Sequence, residues 1–206
     1  IMAKKNMRIE KDSMGNIEVP SEAYYGAQTQ RAIDNFKISN LQFAPSFIKS
    51  LAIIKRSAAV VNHKLGKLNS KHSKAIIKAA DEVIKGKFNN QIKVDIFQTG
   101  SGTSSNMNVN EVIANRASEI LGGKLGSRDP IHPNDHVNLG QSSNDVIPSA
   151  IHISVYLDIN NRLLPSLNKL EKSLVKKSNE FNSIIKIGRT HLQDATPISL
   201  GQEFSG

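Results

Sequence analysis

The feature that most constrains the fold is a run of apolar residues, Ile151, Val155, Ile159, Leu163, Leu167, Leu170 and Leu174, repeating at three and four. That spacing puts all seven on one side of an α-helix, and so long a stripe fits the seam of a helical bundle. Pro165 falls inside the run and is expected to kink or split it, because proline lacks the N–H that the helical ladder needs. Asn144 and Asp145 read as the cap of this long helix.

Upstream, a helical pattern begins at Ser46, with Phe47, Leu51, Ile54, Ala58 and Val61 at the same spacing. Another follows Ser70 through Ile76, Ile77, Ala80 and Val83 to a stop at Gly86. A further helix is expected from about Asn108 through Val112, Ile113 and Ala117 to Leu121, ended by Gly122-Gly123. Residues 8–45 read as an irregular arm punctuated by Pro20, Gly26 and Pro45. Strand patterns are limited to short pieces. The expected fold is mainly α: a small mixed N-terminal domain followed by the start of a long-helix bundle. The stretch GRTHLQDATPISLGQEFSG breaks off at Gly206 a few residues into a helix expected after Pro197, so the sequence reads as incomplete.

The formal net charge is +9. Basic chains can neutralise phosphates, but here the cations are 20 Lys against 7 Arg, thinly spread, with no cluster longer than a pair such as Lys176-Lys177 or Lys4-Lys5. Arginine forks onto phosphates and reads bases, and aromatic residues for stacking make up only 5%. A nucleic-acid partner is therefore not expected; the charge suits solvated helix faces and attraction of a small dianion. No apolar run approaches the ~18 residues of a membrane span. The N-terminus, where Met2 and Met7 both read as starts, carries no secretory signal. With no cysteine, disulfides and thiolate metal sites are excluded, and a cytoplasmic location is the default expectation.

Three polar stretches interrupt the helical patterns. The first, QTGSGTSSNMN over 98–108, has glycines that let the backbone approach a ligand and hydroxyls that donate, just ahead of a helix. It suits an anion, or equally a flexible linker, and lacks the lysine of a nucleotide-binding P-loop. The second is His132-Pro133-Asn134-Asp135, followed by Gln141-Ser142-Ser143-Asn144-Asp145. Turn and cap chemistry accounts for both, although two such clusters beside the first also suit a shared polar pocket. His132 and Asp135 have no third partner at metal-ligand spacing, so no metal is expected. The third, Gly188 to Pro197, carries His191 in a polar loop, where an imidazole titrating near neutrality serves as acid or base, or simply faces solvent. His63 and His72 read as solvated helix residues, and His152 as helix packing.

Taken in order, RIEKDSMGNIEVPSEAYYGAQTQRA, QTGSGTSSNMNVNEVIANRASEILGG, HPNDHVNLGQSSNDVIPSA and KIGRTHLQDATPISLGQEFSG resemble the class II fumarases of the aspartase/fumarase superfamily, over nearly the whole chain. Such enzymes add water reversibly across fumarate to give (S)-malate, with no metal or organic cofactor. The resemblance implies that Ser101, Gly102 and Thr103, then Ser142, Ser143 and Asn144, and finally Thr190 bind the dicarboxylate. It implies His191 as general acid/base, acting through a bound water. Hydroxyl and amide donors suit the aci-carboxylate dianion formed when a proton next to a carboxylate is removed. His132, Pro133, Asn134 and Asp135 match a second dicarboxylate site of the family. Its usual arginine is replaced by Asp129, with Arg128 one place earlier, which bears on that site's anion affinity; Leu139-Gly140 replaces a more polar pair.

The same resemblance divides the chain into an N-terminal lyase domain, 1–140, and the truncated beginning of the central helical-bundle domain, 141–206, of a homotetramer. Aspartate ammonia-lyases resemble the chain in the same places but carry Gln where His191 stands and AVP where Ala195-Thr196-Pro197 stands, so HLQDATP favours hydration over deamination. The family's SSxMPxKxN loop with its catalytic serine, and the glutamate partner of the histidine, belong to segments after Gly206. Each active site of the family also draws on three subunits. The 206-residue chain alone is accordingly expected to lack hydratase activity, to expose apolar helix faces and to act as a non-catalytic assembly fragment.

Overall fold

The structure, a computed structural model, describes residues 6–206; the readings on Met2 and the Lys4-Lys5 pair lie outside them. The chain forms two compact units, one ending at Val155 and one spanning Tyr156–Gly206. It is mainly helical, with two small antiparallel strand pairs, as the sequence leads one to expect. Among the described residues no helix is long and apolar enough to cross a membrane.

Where an irregular arm is expected, the first unit instead has a hairpin of β1 (Met7–Asp12) and β2 (Gly15–Pro20), then helix α1 (Ala27–Asn35). Polar anchors that hydropathy does not register hold this region. Arg8 donates to the carbonyls of Pro20, Ser21, Ala23 and Tyr25 and pairs with buried Glu10 at 2.6 Å. Arg31 grips Asp12 through two bonds of 2.8 and 2.9 Å. The start of α1 has no side-chain cap of its own. Glu111 accepts there from the N–H groups of Gly26, Gln28 and Thr29, and Glu10 from that of Ala27. Two buried carboxylates thus satisfy the orphan donors at the positive end of the helix.

Helices α2 (Pro45–Lys64) and α3 (Ser70–Ile84) pack together, α3 capped by Asn69, which accepts from the His72 N–H at 2.8 Å. The inward face of α2 is rotated from the expected stripe: Ile48, Leu51, Ala52, Lys55 and Ala59 are buried while Val61 is exposed. Helix α4 (Thr103–Ile120) begins at Thr103, not near Asn108, and is buried without a break from Ser105 to Asn115. Its polar residues pin surrounding segments in place. Asn108 accepts from the Lys93 N–H and donates to Gln91 O; Asn115 accepts from the Gly126 N–H and donates to Tyr24 O. With neighbours on every side, α4 shows no apolar stripe. The core around it includes Val19, Leu51, Ile76, Val109, Val112 and Ile131.

Helix α5 (Ser143–Asp158) carries the chain across the division between the units. Ser142, not Asn144 or Asp145, takes the capping place. Its carbonyl accepts from the N–H groups of Asp145 and Val146, and its hydroxyl from that of Asn144 at 3.3 Å. His152 is exposed rather than packed, because the buried positions of α5 are Val146, Ala150 and Ser154 and residue 152 falls on the opposite side.

In the second unit a wide π-helical turn, Ile159–Leu163, precedes α6 (Leu164–Glu180), and Pro165 sits in the first turn of α6. The ladder re-registers ahead of the proline, which then occupies a position where its missing N–H costs nothing. The expected polar loop after α6 is a hairpin of β3 (Ile185–Thr190) and β4 (Gln193–Ser199). A capping box of Ser199 and Gln202 opens α7 (Leu200–Ser205), which packs on α6 through Phe181 and Phe204, ring centroids 5.6 Å apart.

Candidate functional site

The first unit brings two of the three predicted stretches together. Gly102, in the left-handed conformation at φ +67°, turns the chain into α4, and a Cβ there would stand 2.9 Å from Cδ1 and Cγ1 of Ile147 on α5. One turn on, the Asn106 amide donates to the Ser143 hydroxyl at 3.1 Å. Two helices therefore start side by side. At the mouth of α4 the hydroxyls of Ser101 and Thr103 lie 2.8 Å apart, both residues exposed. Gln98 and Thr99 accept from the N–H groups of Ser105 and Ser104, so among the described residues the Thr103 N–H is left free, as is that of Ser143 on α5. Paired helix N-termini with free N–H groups and serine and threonine hydroxyls are suited to a carboxylate. The Asn106 N–H occupies a lone pair of the Ser143 oxygen and so leaves its O–H free to donate outward.

Behind this mouth lies a polar cluster that sequence reading did not single out. Lys55 is 0% exposed. Its ammonium donates to Asn138 Oδ1 and Gln141 Oε1, each at 2.9 Å. Asn138 Oδ1 also accepts from Asn106 at 3.2 Å and Asn110 at 3.1 Å. Burial pushes the Lys55 ammonium down to about 7. The signal the sequence offers is a lysine in helical phase with Leu51, Ala52 and Ala59.

The predicted second site forms a self-contained turn. His132 caps a π-helical segment, Pro133–Val137; its Nδ1 accepts from the Asp135 N–H and lies 3.2 Å from the Asp135 carboxylate. Pro133 is buried and Asn134 and Asp135 are exposed. His136 Nδ1 accepts from the His132 N–H at 2.8 Å, and the His136 ring meets that of His72 edge-on, centroids 4.9 Å apart. Burial holds His136 and His72 below the usual imidazole range. Arg128 instead lines an interior cleft with Glu10, Glu111 and Asn115.

Thr190 and His191 lie in the second unit. Thr190 ends β3 opposite Gln193, and His191 with Leu192 makes the two-residue tip of the hairpin. Leu192 takes φ +58° and is 98% exposed. The His191 side chain is exposed and bonds to no other described residue.

A sequence model of a family described as lyase matches residues 15–206. The chain is 56% identical over 199 residues to a class II fumarate hydratase of Nitrosomonas europaea, covering 97% of this chain and 43% of that protein. It is 55% identical over 208 residues to the mitochondrial fumarate hydratase of Homo sapiens, covering 100% of this chain and 41% of that one. Among solved structures, a class II fumarase from Schistosoma mansoni superposes with TM-score 0.92 at 51% identity, over 97% of this chain and 42% of that chain. A fumarate lyase:delta crystallin from Brucella melitensis gives TM-score 0.93 at 47% identity, over 97% and 46%. The chain thus spans less than half the length of the relatives it matches. Its helical architecture, its four ordered motifs and these likenesses agree that the chain belongs to the lyase family.

Proposed function

We propose that the full-length protein hydrates fumarate reversibly to (S)-malate, and that this chain supplies the anion cradle and the acid/base histidine. The observation that carries the reading is the tie between Asn106 and Ser143, which sets two helix N-termini and their hydroxyls side by side. In this reading Ser101, Gly102, Thr103, Ser142, Ser143, Asn144 and Thr190 hold the dicarboxylate. Their fixed donors stabilise negative charge as it develops, without reorganising. His191 acts through a bound water, and a base from a later segment removes the proton next to the carboxylate. No cofactor is required. His132 to Asp135 would form an accessory dicarboxylate site, weakened by the inward placement of Arg128.

Residues 141–206 open the central bundle domain of a homotetramer. The exposed apolar residues Leu163, Leu167, Leu170 and Leu174 support that assembly, since a stripe of this kind is normally covered. A cytoplasmic location completes the reading. The test is turnover by the full-length gene product of malate and aspartate. Fumarate formed from malate, and lost by about a hundredfold or more in His191→Asn, is expected for removal of a general acid/base; turnover of aspartate alone would sink the proposal.

A further inference from the structure

A lysine buried among Leu51, Ala52 and Ala59 with no carboxylate partner calls for a reason, because an apolar residue would fill the space at lower cost. Its two acceptors supply one. Gln141 stands immediately before the Ser142-Ser143-Asn144 turn, and each of its polar groups is engaged. Its N–H donates to Asn138 O, its carbonyl accepts from the Asn138 amide at 3.2 Å, its side-chain N–H groups donate to Val137 O at 2.9 Å, and its side-chain oxygen takes the Lys55 ammonium. Asn138 in turn is held by Lys55, Asn106 and Asn110, and Asn106 reaches on to the Ser143 hydroxyl. A carbonyl oxygen has two lone pairs, so three donors on Asn138 Oδ1 mark a strongly polarised centre. The charged donor there is the strongest of the three.

We propose that Lys55 is a positioning residue of the dicarboxylate pocket: its buried ammonium locks Asn138 and Gln141 so that the turn presents the Ser143 hydroxyl and N–H to the anion. The inference rests on the fumarate–malate reading above. Lys55 touches no substrate and acts through the two amides. In its protonated form it also places a cation in the same hydrogen-bonded network as the anion-binding hydroxyl, which favours a dianion over a monoanion.

The test uses the full-length gene product. Lys55→Met keeps the volume and removes both hydrogen bonds and the charge. The malate KM is expected to rise about tenfold, equivalent to ~1.4 kcal/mol of binding, with kcat nearly unchanged, the pattern of lost uniform binding. The thermal midpoint should change little, since the core loses a charge with no carboxylate partner while Gln141 Oε1 loses its donor. Gln141→Met should raise KM alike, and the double variant should be no worse than the worse single one, as expected for residues acting in series. An unchanged KM in Lys55→Met overturns the proposal, as does a raised KM that merely tracks a fallen midpoint and adds fully to that of Gln141→Met. Should Lys55→Met yield no folded protein, Gln141→Met decides alone: a raised KM at unchanged midpoint supports the lock and an unchanged KM refutes it. Wild-type protein inactive on fumarate and malate would instead sink the underlying reading, whatever the variants do.

Discussion

The side-chain amide of Asn106 bonds both to the Ser143 hydroxyl at 3.1 Å and to Asn138 Oδ1 at 3.2 Å, so one residue of α4 fixes the entry of α5. Replacing it removes two partly buried hydrogen bonds from one place. Asn106→Ala is expected to destabilise the protein by about 1–2 kcal/mol, the usual net loss for two such bonds. Denaturant unfolding measures that loss, and malate binding should weaken with it because the Ser143 hydroxyl is freed to rotate.

Gly102 combines a left-handed backbone with a side-chain position already occupied by Ile147. Gly102→Ala should cost about 1–3 kcal/mol, part conformational and part steric. Adding Ile147→Ala should relieve the steric part only. Comparing thermal midpoints of the single and double variants separates the two.

Glu82 of α3 receives two bonds from Arg116 of α4, each 2.8 Å, and one of 3.0 Å from Lys87. The Arg116 guanidinium, with Lys87, draws its carboxyl down to about 2. A carboxylate lowered on folding contributes stability above its unfolded value, and that contribution is lost as the pH falls from there toward about 2. Glu82→Gln should therefore weaken the protein near neutrality by on the order of 1–3 kcal/mol and flatten the acid limb of a stability–pH curve.

Much of this was legible in the sequence, and the failures share a cause. Periodicity found α2, α3 and the helices along the run through Leu174, where apolar residues recur on one face. It missed the first turn of α4, because Ser105, Asn106 and Asn108 are buried by bonding to loops rather than by being apolar. It missed β1 and β2 because Arg8, Glu10, Asp12 and Arg31 carry their stability. At the candidate site the motif residues, Asn138 and Gln141 among them, were visible as strings. Lys55 was not, since a buried lysine looks like any surface lysine until its acceptors are placed.

The stripe on α6 gives a prediction about assembly. Leu170→Glu puts a charge on an already exposed position, so α6 should keep its helicity by circular dichroism. If the stripe is covered in the proposed homotetramer, the full-length protein should shift toward smaller species in sedimentation, because a charge buried at an interface without a partner is strongly unfavourable. An unchanged sedimentation profile would mean that the stripe faces something else.

One convergence is central to the proposed function, and a crystal structure of the full-length protein with bound malate tests it directly. A malate carboxylate is expected within hydrogen-bonding distance of the Thr103 and Ser143 N–H groups and their hydroxyls, with His191 facing the same ligand directly or through one water. Malate bound elsewhere, with the hydroxyls of Ser101, Thr103 and Ser143 contacting only solvent, would contradict it.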